Sequence, residues 1–368
     1  AATHSRFHHS VGVAVLVKRF VESLPMQYYS LMAISEKFFV VAAALLHDIG
    51  HPAWGHAGEL FAKFRGFDKK HEQISIDLIR NGEKYDKYFQ NWERPRVYDI
   101  ITEAKDRDLI AKLIEGRAPI PEDLPRATKG KLEKEKRFLG RMISHYFDFD
   151  RAEYLIRDSF YTGVMLGHYD IGSMFEKIGI EKIGEANEML FLDQVFAEAF
   201  IITRELMYAG VYLNNRKIIA EEMLARAWNN IYPTTVDIFE FWFDTDHQLL
   251  DKMQHAYDPL AKRVARLIAS GKTYEIIEEI KFSDTRMNQG IISKLVELDK
   301  DRNKLLEFEE ELSSELSIPK GDLILGISIW VKPDELESLI MTRSGFRRIE
   351  DVSPLLSSLA TSRYREDR

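Results

Sequence analysis

Seven of the eleven histidines (His4, His8, His9, His47, His51, His56 and His71) fall within the first 71 residues. The chain contains no cysteine, which excludes a disulfide framework, a cysteine-ligated zinc site and a thiolate nucleophile. Any metal must therefore be held by histidine and carboxylate. His47-Asp48 directly follows the nine apolar residues Phe38 to Leu46. An Asp there is poor core material, because burying even a neutral polar group without a partner costs about 2–7 kcal/mol. Standing alone, the dipeptide reads as a helix-end His beside a capping Asp. It does not stand alone: His9 opens an earlier helix in Arg6-Phe7-His8-His9-Ser10, and Asp150 opens a later one in Asp148-Phe149-Asp150-Arg151. Two imidazoles and two carboxylates make a mixed nitrogen–oxygen set. It suits Mn, Fe, Zn, Ni or Co and leaves positions for water and a substrate oxygen.

The elements that must carry these groups are mostly helices. Residues 9–24 place Val13, Leu16, Phe20 and Leu24 largely on one face, with Pro25 closing the segment. Residues 28–48 predict a second helix, apolar all round in its latter half and so expected at the centre of the core. Gly50 and Pro52 stop it. Helices are expected over 56–66, 70–80, 151–159 and 192–230, the last stretch divided near Tyr212-Leu213-Asn214-Asn215. Between 103 and 143 helical stretches alternate with charged connections, and Lys129 to Lys136 reads as a solvated run. Residues 233–318 predict further helices. Leu323 to Trp330 is β-rich and Pro333 to Met341 predicts a short helix, together a small α+β appendage on a helical body.

The balance of 51 basic against 59 acidic side chains in 368 residues leaves a net charge of −8. That disfavours nucleic acid as the main partner, since coating a phosphate backbone needs a basic stripe. The length suffices for a large core without metal or disulfide support and predicts two or three lobes. No stretch resembles a signal peptide, and Phe38 to Leu46 is too short to span a bilayer. A cytoplasmic, non-membrane protein is the expectation.

Four strings carry a resemblance. Thr3 to Val13 resembles THxRFEHSxGV, and Leu46 to Glu59 resembles LHDIGHPPFGHxxE. Asp148 to Asp158 resembles DxDRxDYLxRD, and Lys70-His71-Glu72-Gln73 is similar to an HEQ turn. On these strings the chain is identified as a member of the HD-domain metal-dependent phosphohydrolases, in the branch of dNTP triphosphohydrolases that includes bacterial dGTPase-like proteins and the mammalian SAM-and-HD-domain enzyme. The implied fold is a mainly α HD-domain helical bundle around a metal site. The expected boundaries are a catalytic domain over 1–230, a helical lobe over 231–319 and a small α+β accessory domain over 320–368. The tail from Ser353 to Leu359 is also similar to the accessory domain of such proteins.

The resemblance implies that His9, His47, Asp48 and Asp150 ligate a divalent cation (Mn, Fe, Zn, Ni, Co or Mg). It implies that His71 and Glu59 act as a proton-relay pair and that His51 and His56 contact phosphate. Arg6, Arg151 and Arg204 would grip the triphosphate, a role that suits the planar guanidinium fork. Tyr154 and Asp158, one helical turn apart, would meet the sugar, and Tyr212 would lie beside the base. The implied reaction is hydrolysis of a dNTP at the α-phosphorus to a deoxynucleoside and inorganic triphosphate. The competing readings are a phosphatase or phosphodiesterase acting on another nucleotide, and a catalytically silent nucleotide-sensing scaffold. A homo-oligomer is also implied.

Some positions depart from the pattern. His8 stands where Glu is usual and Glu153 where Asp is usual. Gly210 and Leu213-Asn214-Asn215 replace the Arg and the Gln-His-Lys of a nucleotide-activated relative, so activation of that kind is not implied. The chain begins inside its first motif, and the upstream segment that helps related proteins select the sugar is not represented.

Overall fold

A computed structural model describes residues 4–89, 96–280, 289–327 and 334–358. In chain order the helices that matter below begin with α1 (Arg6–Ser23), α2 (Ile34–Leu46), α3 (His56–Phe64) and α4 (His71–Asn81). Next come α5 (Ala104–Ile114), α6 (Phe149–Thr162), and strands β1 (Ile178–Ile183) and β2 (Ala186–Phe191). The remainder are α7 (Gln194–Met207), α8 (Asn215–Ile231), α9 (Asp246–His255), α10 (Pro259–Ala269), α11 (Arg302–Glu315), β3 (Leu339–Thr342) and β4 (Gly345–Arg348). The molecule is mainly helical with a small sheet, in agreement with the expected class.

Two compact units divide the chain: Ala1–Gly50 with His71–Gly210 and Lys332–Ser362, and His51–Lys70 with Val211–Val331. In the first, α1 packs on α2 and α6, and α5 packs on α2 and α4. Ser5 caps α1 by accepting from the His8 amide, and Val13, Val17 and Phe20 of that helix are buried. The Phe20 ring meets Phe149 of α6 with centroids 5.1 Å apart. α2 is less enclosed than its composition predicts. Phe39, Val40, Ala43 and Ala44 are buried, whereas Phe38 is 59% exposed and Leu45 39%. A helix with neighbours on one side buries one stripe, whatever the residues on its other side.

The sheet has the order β1-β2-β3-β4. β1 and β2 form an antiparallel hairpin in register from Ile178 opposite Phe191 to Ile183 opposite Ala186. β3 joins β2 in parallel at Phe191 and Ile340, and pairs antiparallel with β4. Of the β-rich stretch Leu323 to Trp330, the described residues Leu323 to Ile327 form no ladder, and residues 328–330 lie outside the described residues. The amide of Leu325 donates instead to Glu309 Oε1 at 2.7 Å, so a side chain of α11 takes the donor a partner strand would need. Pro333 is likewise outside the described residues. The helix expected to end at Met341 is a 3₁₀ turn over Asp334–Glu337 that leads into β3.

The second unit packs α8 against α3 and α10, with α9 on α10. Phe61, Trp228, Phe241, Leu249, Met253 and Val264 form its core. The expected division of 192–230 is present as a π-helical turn over Tyr208–Tyr212 between α7 and α8, with Asn214 capping α8. Among the described residues no helix is long and apolar enough to cross a membrane.

Candidate metal and phosphate-binding site

Three elements of the first unit bring His9, His47, Asp48 and Asp150 together. His9 lies in the first turn of α1, His47 and Asp48 follow α2, and Asp150 lies in the first turn of α6. Asp148 fixes the start of α6 as its N-cap, accepting from the Arg151 amide at 2.9 Å. Asp150 Oδ1 then stands 2.9 Å from His9 Nε2 and 3.5 Å from His47 Nε2. Asp48 completes the group, 3.4 Å from His47 Nε2 through Oδ1 and 3.9 Å from His9 Nε2 through Oδ2.

The far nitrogens of both imidazoles are tied down. His9 Nδ1 donates to Glu153 Oε2 at 2.7 Å, and His47 Nδ1 donates to the Ala44 carbonyl at 2.8 Å. Each ring is thereby fixed with Nε2 turned toward the carboxylates, the arrangement that prepares a histidine to ligate metal. His47 Nε2 is buried and makes no hydrogen bond. In the neutral ring, with Nδ1 donating to Ala44, that nitrogen carries a lone pair that needs a partner, and a divalent cation held by His9, His47, Asp48 and Asp150 supplies one. One ligand atom each from His9, His47 and Asp48 lies within 4.8 Å of the others. The residues present therefore fit a cation, and with nitrogen and oxygen donors but no sulfur they fit the borderline and hard divalent metals.

Charge in the cluster points the same way. Burial alone would lower the His9 imidazolium, but Asp150 and Glu153 outweigh it and raise the group to about 10. His47, also opposed by burial, is raised to about 9 by Asp150 and Asp48. Burial would lift the Asp150 carboxyl, yet the two imidazoles hold it well below the carboxylate range. The arrangement favours positive charge at its centre.

Gly50 sets the neighbouring turn. A Cβ there would stand 2.2 Å from the Ser75 amide nitrogen and 2.4 Å from the His71 carbonyl. Its amide donates to Ser75 Oγ at 2.9 Å. That close approach to α4 leaves His71 Nε2 3.8 Å from Asp48 Oδ1. Arg6 also reaches the cluster, with Nη1 3.3 Å from Asp48 Oδ2.

The other residues singled out from the sequence are distributed as follows. Arg151 and Arg204 share one acidic partner, Glu335, at 2.7 and 2.8 Å. Tyr154 lies near the metal ligands, its ring centroid 6.5 Å from that of His9. Asp158 pairs with His4 Nε2 at 3.0 Å, giving a partner to a histidine without an assigned task. His51, His56 and Glu59 belong to the second unit, where Glu59 Oε2 accepts from His56 Nδ1 at 2.9 Å and the two imidazole centroids are 5.8 Å apart. Trp54 holds their loop in a left-handed conformation (φ 58°), with its amide donating to Asp246 Oδ1 at 2.7 Å. Tyr212 ends the π-helical turn.

Two residues of the site escaped the sequence reading of roles. Glu153, which orients His9, carried a usable signal: it follows Asp150 by three residues and so shares its helical face. Glu335 carried none, because it reaches Arg151 and Arg204 only through the tertiary fold.

The HD domain family model matches residues 6–145, and the HD associated region model matches residues 185–368, half of the chain. An uncharacterized protein of Methanocaldococcus jannaschii is 26% identical over 372 residues, covering 99% of this chain and 68% of its own. An uncharacterized protein of Mycoplasma pneumoniae is 30% identical over 224 residues, and the alignment spans only 46% of that relative. The deoxynucleoside triphosphate triphosphohydrolase SAMHD1 homolog of Dictyostelium discoideum is 23% identical over 365 residues, covering 93% of this chain and 65% of that protein. Among solved structures, a phosphohydrolase from Bacteroides thetaiotaomicron matches in fold with a TM-score of 0.62 at 20% identity, covering 97% of this chain and 85% of that one. With both family models matched in order along its length, the chain belongs to the HD-domain phosphohydrolase family.

Proposed function

We propose that this protein is a metal-dependent nucleotide hydrolase that cleaves a dNTP to a deoxynucleoside and inorganic triphosphate. The observation that carries the reading is the buried, unbonded His47 Nε2 facing Asp48 and Asp150 beside His9. Relatives named as deoxynucleoside triphosphate triphosphohydrolases support the choice of substrate. When bound, a divalent cation supplies Lewis acidity toward a phosphoryl oxygen and toward water. Water adds its oxygen to the α-phosphorus, the bond from phosphorus to O5′ breaks, and O5′ takes up a proton as it leaves.

The chain's own residues do the rest. Arg6, Arg151 and Arg204 are assigned to the phosphates, where guanidinium charge offsets the charge that develops in the transition state. His71, beside Asp48, is assigned to proton transfer. The His56–Glu59 pair is an acid–base pair of the second unit, and with His51 we assign it to the same reaction. Tyr154 offers a ring to the sugar, Asp158 a hydrogen-bond acceptor, and Tyr212 a ring to the base. A panel of dNTPs and NTPs with Mn, Co, Ni and Mg, scored for released phosphates, tests the assignment. Triphosphate release from dNTPs supports it; pyrophosphate or monophosphate as the sole product favours another nucleotide chemistry on the same centre.

A further inference from the structure

Glu335 is fully buried in the first unit, and its Oε1 stands 2.7 Å from Arg151 Nε and 2.8 Å from Arg204 Nε. It comes from the 3₁₀ turn before β3, more than a hundred residues from either arginine in sequence. A carboxylate enclosed this fully loses its hydration and persists only where cations replace it. Two guanidinium groups do so here, and each has a second acidic neighbour. Arg151 also pairs with Asp148, and Arg204 Nη1 lies 2.6 Å from Glu205 Oε1. The ring of Tyr208 lies under Arg204, 4.1 Å from guanidinium to centroid. The two arginines thus converge on one anion position, next in sequence to the ligand candidate Asp150.

The fit of the carboxylate to that position is poor. Neither oxygen of Glu335 makes a directed hydrogen bond, and neither does Arg204 Nε. Short separation without alignment leaves charge attraction in place but forfeits the bonding that a guanidinium edge offers a matched acceptor. A phosphate group carries more charge and more acceptor oxygens, and so satisfies the same donors more fully.

We propose that Glu335 is a built-in competitor for nucleotide phosphate: it occupies the anion position between Arg151 and Arg204, and the phosphate chain binds there by displacing it. The proposal rests on the reading above that these arginines bind phosphate. It adds that the accessory region sets how tightly they do so. A site open only about one-tenth of the time weakens apparent affinity about tenfold. The turn that carries Glu335 is fastened just after that residue, at Glu337 and Ser338. Tyr146 Oη donates to Glu337 Oε2 at 3.2 Å, and the Ile349 amide donates to the Ser338 carbonyl at 2.9 Å. Displacement therefore asks for local movement of one side chain and its turn, not separation of the sheet.

The test uses the whole chain without added metal and inorganic triphosphate as the probe, so that no turnover is involved. Binding is followed by calorimetry, and the probe's effect on melting temperature is recorded. Glu335→Gln keeps the shape and removes the charge. It is expected to bind triphosphate about tenfold more tightly than the wild type, and to gain more melting temperature from the probe. Glu335→Asp retains the charge on a shorter arm and is expected to fall between the two. Unchanged or weaker binding by a folded Glu335→Gln protein overturns the proposal. So does a loss of melting temperature in that variant that triphosphate does not restore, which marks Glu335 as a structural staple. The Arg151→Ala/Arg204→Ala double variant separates the two levels of the argument. If it binds triphosphate as well as the wild type does, the phosphate reading itself fails. If it binds poorly while Glu335→Gln matches the wild type, only the competitor role fails.

Discussion

Glu153 Oε2 accepts a hydrogen bond from His9 Nδ1 at 2.7 Å, and the same carboxylate receives Arg157 Nε on its other oxygen, also at 2.7 Å. The α6 helix thus supplies two things to one imidazole: Asp150 against Nε2 and Glu153 against Nδ1. Removing Glu153 leaves His9 in place but free to rotate and less basic. Glu153→Gln is expected to weaken divalent-metal binding about 10–100-fold, with the helical circular dichroism unchanged. Titration of Mn or Co into the wild type and the variant checks this, and equal affinities would contradict it.

Gly12 makes room for that carboxylate. A Cβ added at Gly12 would lie 2.1 Å from Glu153 Oε1. Gly12→Ala must therefore push Glu153 aside, and it is expected to reproduce the metal-binding loss of Glu153→Gln. In the Glu153→Ala background the clash disappears, so adding Gly12→Ala should cost almost nothing further. A double-mutant cycle on metal affinity measures this coupling, and simple additivity would argue against it.

Gly50 faces backbone rather than a flexible side-chain end, so relief is harder. Gly50→Ala is expected to cost about 1–3 kcal/mol, as overpacking does. Ser75→Ala, which removes only the hydroxyl that accepts from the Gly50 amide, should cost roughly 1 kcal/mol. Urea unfolding of the two variants decides whether close approach or the hydrogen bond matters more.

His145 provides a pH signature. Burial, with Arg141 and Arg151 nearby, lowers its imidazolium to about 3 from an ordinary 6.5. Below pH 6.5 the unfolded chain protonates this residue while the folded one does not. Stability is therefore fully present above 6.5 and is lost progressively as pH falls toward 3. A His145→Gln variant should lose less stability than the wild type over that interval. Parallel denaturation curves between pH 7 and pH 4 would show the difference, and identical slopes would contradict it.

Much of the site was legible because its chemistry is written in short strings. His47 and Asp48 are adjacent, and Asp148 both caps α6 and announces Asp150 two residues later. Such local spacing survives whatever the rest of the chain does. Contacts made by the tertiary fold were not legible: nothing near Glu335 in sequence points to Arg151 or Arg204. The sheet shows the same limit. The hairpin from Ile178 to Phe191 has little sequence signal beyond Gly184, which occupies its turn with φ of 61°. The run from Leu323 to Trp330 is β-rich in sequence, yet its described part, Leu323 to Ile327, forms no ladder. A run of β-formers becomes a strand only if another edge is free to pair, and at Leu325 Glu309 had taken the amide. The exposed Phe38 and Leu45 of α2 make the point for helices, since composition cannot say how many sides a neighbour covers.

The central claim is tested most directly by following where a water oxygen goes. Wild-type protein loaded with Mn would be given a dNTP in water labelled with heavy oxygen, with Asp48→Ala in parallel. The account predicts equal amounts of deoxynucleoside and triphosphate, with the label on the phosphorus that was α, and loss of both products in the variant. Label in the deoxynucleoside, release of pyrophosphate with a monophosphate, or undiminished turnover by a folded Asp48→Ala protein would contradict it.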